Sequence, residues 1–185
     1  MRTSVPEQLL KIIDEIDAHG QASLTRLTLL KKWFARPERL SAFAIWVAAR
    51  AVSRKGKTSG VAATLFLEAR TLLAGLDEIT PKLNRQAAQR LHDRLRDFQH
   101  EYKSQKWGLV RVIHNWNLLL IEEALSVYLW HVQSPSHGYK LAADYCRHYD
   151  PRYGESLNGP SRTKIAEIVR FMFTVESLED DRTSI

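Results

Sequence analysis

Residues 51–58, Ala51 to Thr58, read AVSRKGKT. Apart from alanine in place of the first glycine, this is the spacing of a phosphate-cradling loop, G-x-x-x-x-G-K-[ST]. Such a loop works only where a strand delivers the chain to a tight glycine turn, so that backbone N–H groups and the next helix N-terminus surround the phosphates. Upstream stands SAFAIWVAAR, Ser41–Arg50, rich in alanine and apolar around a whole helical circumference. That pattern predicts a buried helix, and no alternation of strands and helices is visible anywhere to build a parallel sheet. The octapeptide is therefore read as a helix C-terminus. Arg54, Lys55 and Lys57 complement the negative end of the helix dipole and Gly56 ends the helix. No nucleotide is expected there.

Helical signals extend outward from this point in both directions. A first helix is expected from Pro6 to Gly20, with Leu9, Ile12, Ile13 and Ile16 on one stripe. Ser23 caps a second that passes through Leu24, Leu27, Leu30 and Phe34, and Pro37 stops it and starts the helix that contains SAFAIWVAA. Beyond KGKTSG, VAATLFLEARTLLAG predicts a fourth, closed by Gly75. From Pro81 to Lys106 the apolar residues Leu83, Ala87, Leu91, Leu95, Phe98 and Tyr102 recur every three or four positions, giving a long helix with one wet face. WNLLLIEEALSVYLWHV, Trp116–Val132, is the second largely buried helix. Another is expected from Ser136 to Tyr149, and a last from Pro160 to Ser177 after the turn-rich DPRYGESLNG. The only β-leaning run, Leu109–Ile113, has no partner. The expected fold is thus all-α, a single compact bundle of seven or eight helices over 1–185, with 178–185 fraying as an acidic tail.

Composition bounds the function classes. Cys146 is the only cysteine, which excludes an internal disulfide and a zinc site of paired cysteines and suits a reducing, cytoplasmic compartment. No secretory-type apolar run opens the chain, and Glu122 and Glu123 interrupt the most apolar segment, so neither export nor membrane insertion is expected. No motif calls for a cofactor or a metal.

Net charge is +6, and its distribution is uneven. Residues 1–60 hold 11 Lys/Arg against 5 Asp/Glu, whereas residues 61–185 hold 16 of each. Such a local excess attracts polyanions. The cations fall into two groups near the ends of the third helix, Lys31, Lys32, Arg36 and Arg39 at its start and Arg50, Arg54, Lys55 and Lys57 at its end. The apolar stretch between them excludes one continuous DNA-reading helix. The leading expectation is a non-catalytic interaction protein that binds a nucleic-acid backbone or an acidic protein through these eight side chains.

The alternative centres on residues 137–162, HGYKLAADYCRHYDPRYGESLNGPSR, which hold four of the six tyrosines. Lys140, Asp144 and His148 recur at four-residue spacing, so that a carboxylate stands between an ammonium and an imidazole. The same spacing makes ordinary surface ion pairs worth about 0.3 kcal/mol. Read functionally, His137, Lys140, Asp144, His148, Arg152, Tyr153 and Arg162 would border a pocket, with His148 and Asp144 as acid/base groups and Arg152 or Arg162 clamping an anion. Glu122 and Glu123 must find partners on another helix. No Glu-x-x-His pair accompanies them, which excludes a di-iron carboxylate site.

Overall fold

The computed structural model of the chain describes residues 30–53, 60–74, 83–104, 116–150, 155–160 and 162–183. The helix expected over Pro6–Gly20, the Ser23 cap, the run Leu109–Ile113, and Arg54, Lys55, Lys57, Arg152 and Tyr153 lie outside the described residues. So do the side chains of Lys31, His148 and Arg162.

The described chain is helical apart from one short ladder. A single turn, α1 (Leu30–Trp33), leads into α2 (Pro37–Ser53), followed by α3 (Val61–Leu73), α4 (Arg85–Ser104), α5 (Trp116–Trp130) and α6 (Pro135–Cys146). Strands β1 (Arg147–Asp150) and β2 (Glu155–Pro160) pair antiparallel, and α7 (Arg162–Thr183) closes the order. Six helices of twelve or more residues are therefore present among the described residues, where seven or eight were expected for the whole chain.

Ala51, Val52 and Ser53 are the last residues of α2, so the chain reaches the AVSRKGKT motif from a helix. Pro37 opens α2 at a position where its missing N–H costs nothing, Glu38 lies in the first turn and Arg50 in the last, each matching the dipole. Phe43, Ala44, Val47, Ala48 and Ala51 are fully buried, and the alanines allow the close approach of α5, the most extensive helix contact among the described residues. One cluster of buried side chains joins these two helices to residues from α1 and from α3, α4, α6 and α7.

Asn84 caps α4, its Oδ1 accepting from the backbone N of Gln86 and of Ala87, both at 3.1 Å. The buried stripe of α4 is Ala88, Leu91, His92, Leu95 and Phe98. Arg85 donates from Nη2 to the Leu129 carbonyl at 2.5 Å, satisfying a backbone acceptor at the C-terminus of α5. Gly138 lets α6 lie directly on the α1–α2 corner. A Cβ there would stand 2.7 Å from Phe34 Cγ and 2.7 Å from Leu40 Cδ1.

Two expectations need correction. The helix expected to reach Tyr149 ends at Cys146, because Arg147–Asp150 pair with Glu155–Pro160 instead, His148 opposite Leu157 and Tyr149 opposite Ser156. Four-residue spacing across 140–148 suggested helix, but the strand Glu155–Pro160 satisfies the backbone groups of Arg147–Asp150 instead. The last helix, expected to end at Ser177, also continues to Thr183. Its end is held by Glu176 and Glu179, which bind Trp33, Arg36 and Arg39.

Candidate functional site

The polar side of α5 opens onto a groove of about 640 Å³. Leu118, Leu120, Ile121, Ala124, Leu125, Val127 and Leu129 of this helix are buried, so it is wrapped on most of its circumference. Trp116, Leu119, Glu122, Glu123 and Ser126 remain on the side that faces the cavity. The opposite wall is α6, which contributes His137, Tyr139, Lys140, Ala143 and Asp144, while Gln99 of α4 and His131 of the α5–α6 connection complete it. From Trp116 to His131 the groove follows α5 for roughly 20 Å at a rise of about 1.5 Å per residue.

Its charged groups form one linked set. The Lys140 ammonium donates to a Glu123 carboxylate oxygen and lies 3.5 Å from Asp144 Oδ2. Asp144 is 8% exposed at its side chain, whereas Lys140 is 65% exposed, so the ammonium reaches in from solvent to a buried carboxylate. Burial pushes the Glu123 carboxyl above its ordinary value, with Asp144 adding to the effect and Lys140 opposing it. Burial pulls Lys140 down, but Glu123 and Asp144 outweigh it and hold the ammonium above its ordinary value. Glu122 finds its partner on α4, with His92 Nε2 3.3 Å from its Oε1. His92 is buried, and its ring meets Trp130 edge-on at 4.5 Å.

At the far end His131 and His137 stack in parallel at 4.0 Å, and His137 Nδ1 is hydrogen-bonded to Ser134 Oγ at 2.9 Å. Burial, the neighbouring His131 and Lys140 all hold His137 below its ordinary value of 6.5, so its imidazole is neutral at pH 7. Among the described residues Gln99 Nε2 is buried with no hydrogen-bond partner. The described lining of the groove offers carboxyl groups and imidazoles for proton transfer. Cys146 is buried, and burial together with the Glu167 charge pushes its thiol far above the ordinary value, leaving it an inert apolar group.

The structure brings together His137, Lys140 and Asp144 of the expected pocket, and adds Glu122, Glu123, His131 and Gln99, which were not assigned to it. The signal was present in α5, where Glu122, Glu123 and Ser126 interrupt an otherwise apolar run on one side. Lys140 and Asp144 do form the ion pair their spacing suggested, yet one partner is buried rather than solvated. Tyr145, expected to pack, is 1% exposed and donates its hydroxyl hydrogen to Glu167.

The expected polyanion surface is divided. Arg39 donates to Glu179 from Nε at 3.0 Å and from Nη2 at 2.5 Å, and its guanidinium lies 5.1 Å over the Trp33 ring and 3.5 Å from Glu176. Arg36 donates to Glu179 at 3.0 Å, and Trp33 Nε1 donates to Glu176 at 3.0 Å. The hydrogen bond from Arg39 is the main reason Glu179 lies below the ordinary carboxylate value, whereas burial raises Glu176 despite the same arginine. Lys32 is exposed, and Arg50 is exposed with its guanidinium 5.5 Å over Trp46. Arg36 and Arg39 are thus neutralised from within the chain.

A second groove, about 510 Å³ between α3 and α4, is lined mainly by Leu67, Leu72, Ala87 and Leu91, and its single carboxylate, Glu68, already binds Arg94. It brings no comparable set of ionisable groups together. Among the described residues no cluster of three or more His, Cys, Asp or Glu side chains is arranged to hold a metal ion, and no helix is long and apolar enough to cross a membrane. Comparison with protein families, curated proteins and solved structures finds no match to this chain.

Proposed function

We propose that this protein binds a small polar molecule in the groove between α5 and α6. One observation carries the reading. Ionisable side chains from two helices and the connection between them converge on a cavity of about 640 Å³, within the range of ordinary ligand sites. The groove differs from an incidental surface cleft in that its charged groups are withdrawn from bulk solvent: Asp144 is buried, and burial pushes the Glu123 carboxyl above its ordinary value beside the Lys140 ammonium.

Saturation-transfer NMR with a library of polar fragments tests the reading. Hits are expected on the native chain and are expected to vanish in Ser126→Trp, which fills the middle of the groove from α5. Hits that all survive in a folded Ser126→Trp, or no hits at all, overturn it.

A second reading, binding of a nucleic-acid backbone or an acidic protein, is favoured by the charge excess of residues 1–60 and by the exposure of Lys32 and Arg50. It is the weaker of the two, because Arg36 and Arg39 spend their charge on Glu176 and Glu179.

A further inference from the structure

We infer that the stacked imidazoles of His131 and His137 form an acid-sensitive latch on the α5–α6 corner, one that holds this end of the groove at neutral pH and loosens when both rings are protonated. The latch acts with or without a molecule in the groove. Its two rings lie parallel with centroids 4.0 Å apart, and both line the cavity. The backbone sets their positions. His131 N donates to the Val127 carbonyl at 3.0 Å, Ser134 N to the His131 carbonyl at 2.9 Å and His137 N to the Ser134 carbonyl at 3.0 Å, so two successive turns carry the chain from α5 into α6. Ser134 Oγ also binds His137 Nδ1 at 2.9 Å and lies 3.0 Å from Ser136 Oγ. The rings therefore part only if His131 leaves the corner or the bond between Ser134 and His137 breaks.

One proton on the pair brings no repulsion between the rings, whereas a second places two imidazolium ions face to face at 4.0 Å. The charge is costliest on His137. It is the third residue of α6, where the helix presents the positive end of its dipole, and Lys140 follows one turn later. Burial, His131 and Lys140 accordingly hold His137 below 6.5. The other charges on the elements packed against α6 are engaged elsewhere or exposed. Glu122 of α5 is beside His92, Glu123 of α5 and Asp144 of α6 are with Lys140, Arg39 of α2 is with Glu176 and Glu179, Glu167 of α7 takes the Tyr145 hydroxyl, and Lys32 of α1 is exposed. A histidine held below its ordinary value adds stability that is complete above 6.5 and is lost as the pH falls through its folded-state value. Both rings are half-buried, so solvent protons reach them, and they titrate as a pair.

Hydrogen exchange of the ¹⁵N-labelled full chain, followed by NMR, tests the latch at the two amides that close the turns, Ser134 and His137. Between about pH 7.5 and about pH 5.5, and after correction for the intrinsic rate, their protection is expected to fall by roughly tenfold or more while that of the α2 core amides holds. His131→Phe and His137→Phe each keep a ring for the stack and remove the second charge, and in each the fall is expected to shrink to about twofold or less. Should a phenylalanine variant not fold, His131→Gln removes the same charge. In His131→Phe the imidazole titration of His137 is also expected to move up toward 6.5. Glu123→Gln is expected to leave the fall as it is. No fall in the native chain, or a fall that persists when either ring can no longer be charged, would overturn the latch. So would an unmoved His137 titration in His131→Phe, and a fall abolished by Glu123→Gln would assign the acid sensitivity to that carboxyl instead.

Discussion

Two regions of this molecule join opposite charges, and they do it differently. At the α1–α2 corner, Arg36 and Arg39 meet Glu176 and Glu179 of α7 across 137 or more residues of sequence, two cations against two anions, with Trp33 beneath them. In the α5–α6 groove the exposed Lys140 ammonium meets Glu123 and Asp144 beside an open cavity. The charges of the corner are closed in by packed side chains, and those of the groove border open volume. Paired charge inside packing holds elements together, while charge beside open volume can also meet a molecule from outside, so net charge along the sequence is a poor guide to which region binds anything.

The largest test of this contrast acts on the seam between the two regions. Gly138 of α6 is the point where the groove-bearing helix rests on Phe34 and Leu40 beside the corner. Gly138→Val introduces a Cβ at an impossible distance from Phe34 Cγ and branches it, and should cost about 3 kcal/mol in urea unfolding. Gly138→Ala should cost about 1 kcal/mol, because better helix propensity offsets part of the clash. If both variants were as stable as the native chain, α6 would not be seated as described, and the groove wall with it.

The next test compares the cations themselves. Arg39→Met keeps an apolar stem over Trp33 but leaves Glu176 and Glu179 adjacent without their main cation, and should cost about 2 kcal/mol, less than a fully buried pair because Glu179 is a third exposed. Lys140→Met should cost at most about 0.5 kcal/mol, since the ammonium it removes is largely solvated. Equal losses would make the groove charges structural and erase the contrast. The corner's contribution is also pH-dependent in a definite direction. Glu179 is held below its ordinary value of 4.5, so the stability it adds is present above that pH and is lost as the pH falls through its folded-state value. Glu123 is held above 4.5, so its effect has the opposite sign: its share of stability is complete below 4.5 and is lost as the pH rises through its folded-state value. Urea midpoints of Glu179→Gln and Glu123→Gln measured across acid pH should therefore diverge from the native curve at opposite ends of that window.

Much of the architecture was legible because it depends on local periodicity. SAFAIWVAA could not be half-wet, and it became the buried α2. Pro37 and the stripe of α4 likewise marked helices that the structure contains. What escaped was non-local. Arg147–Asp150 carry no strong strand pattern of their own, and only the returning strand decides their conformation. The roles of Glu176 and Glu179 escaped because their partners lie at Trp33, Arg36 and Arg39, a distance in sequence over which spacing says nothing. The groove was half legible. Lys140 and Asp144 share a helix and could be paired by counting, whereas Glu123 reaches them only because α5 and α6 pack side by side.

The smallest expected effect concerns polyanions, and it tests whether the basic sequence excess binds anything once the corner is accounted for. An oligonucleotide titrated at low salt senses cations that are available to release counterions from phosphate. Arg36 is held by Glu179, so Arg36→Gln removes charge that was already neutralised and should change affinity less than about twofold. Replacing both Lys55 and Lys57 by glutamate reverses charge at the other end of the excess, and should weaken any such binding by about tenfold and flatten its salt dependence. A large loss with Arg36→Gln would mean that phosphate displaces Glu179 from the corner. The charges of the corner would then be as open to an outside molecule as those that border the groove, and packing would no longer separate the two regions.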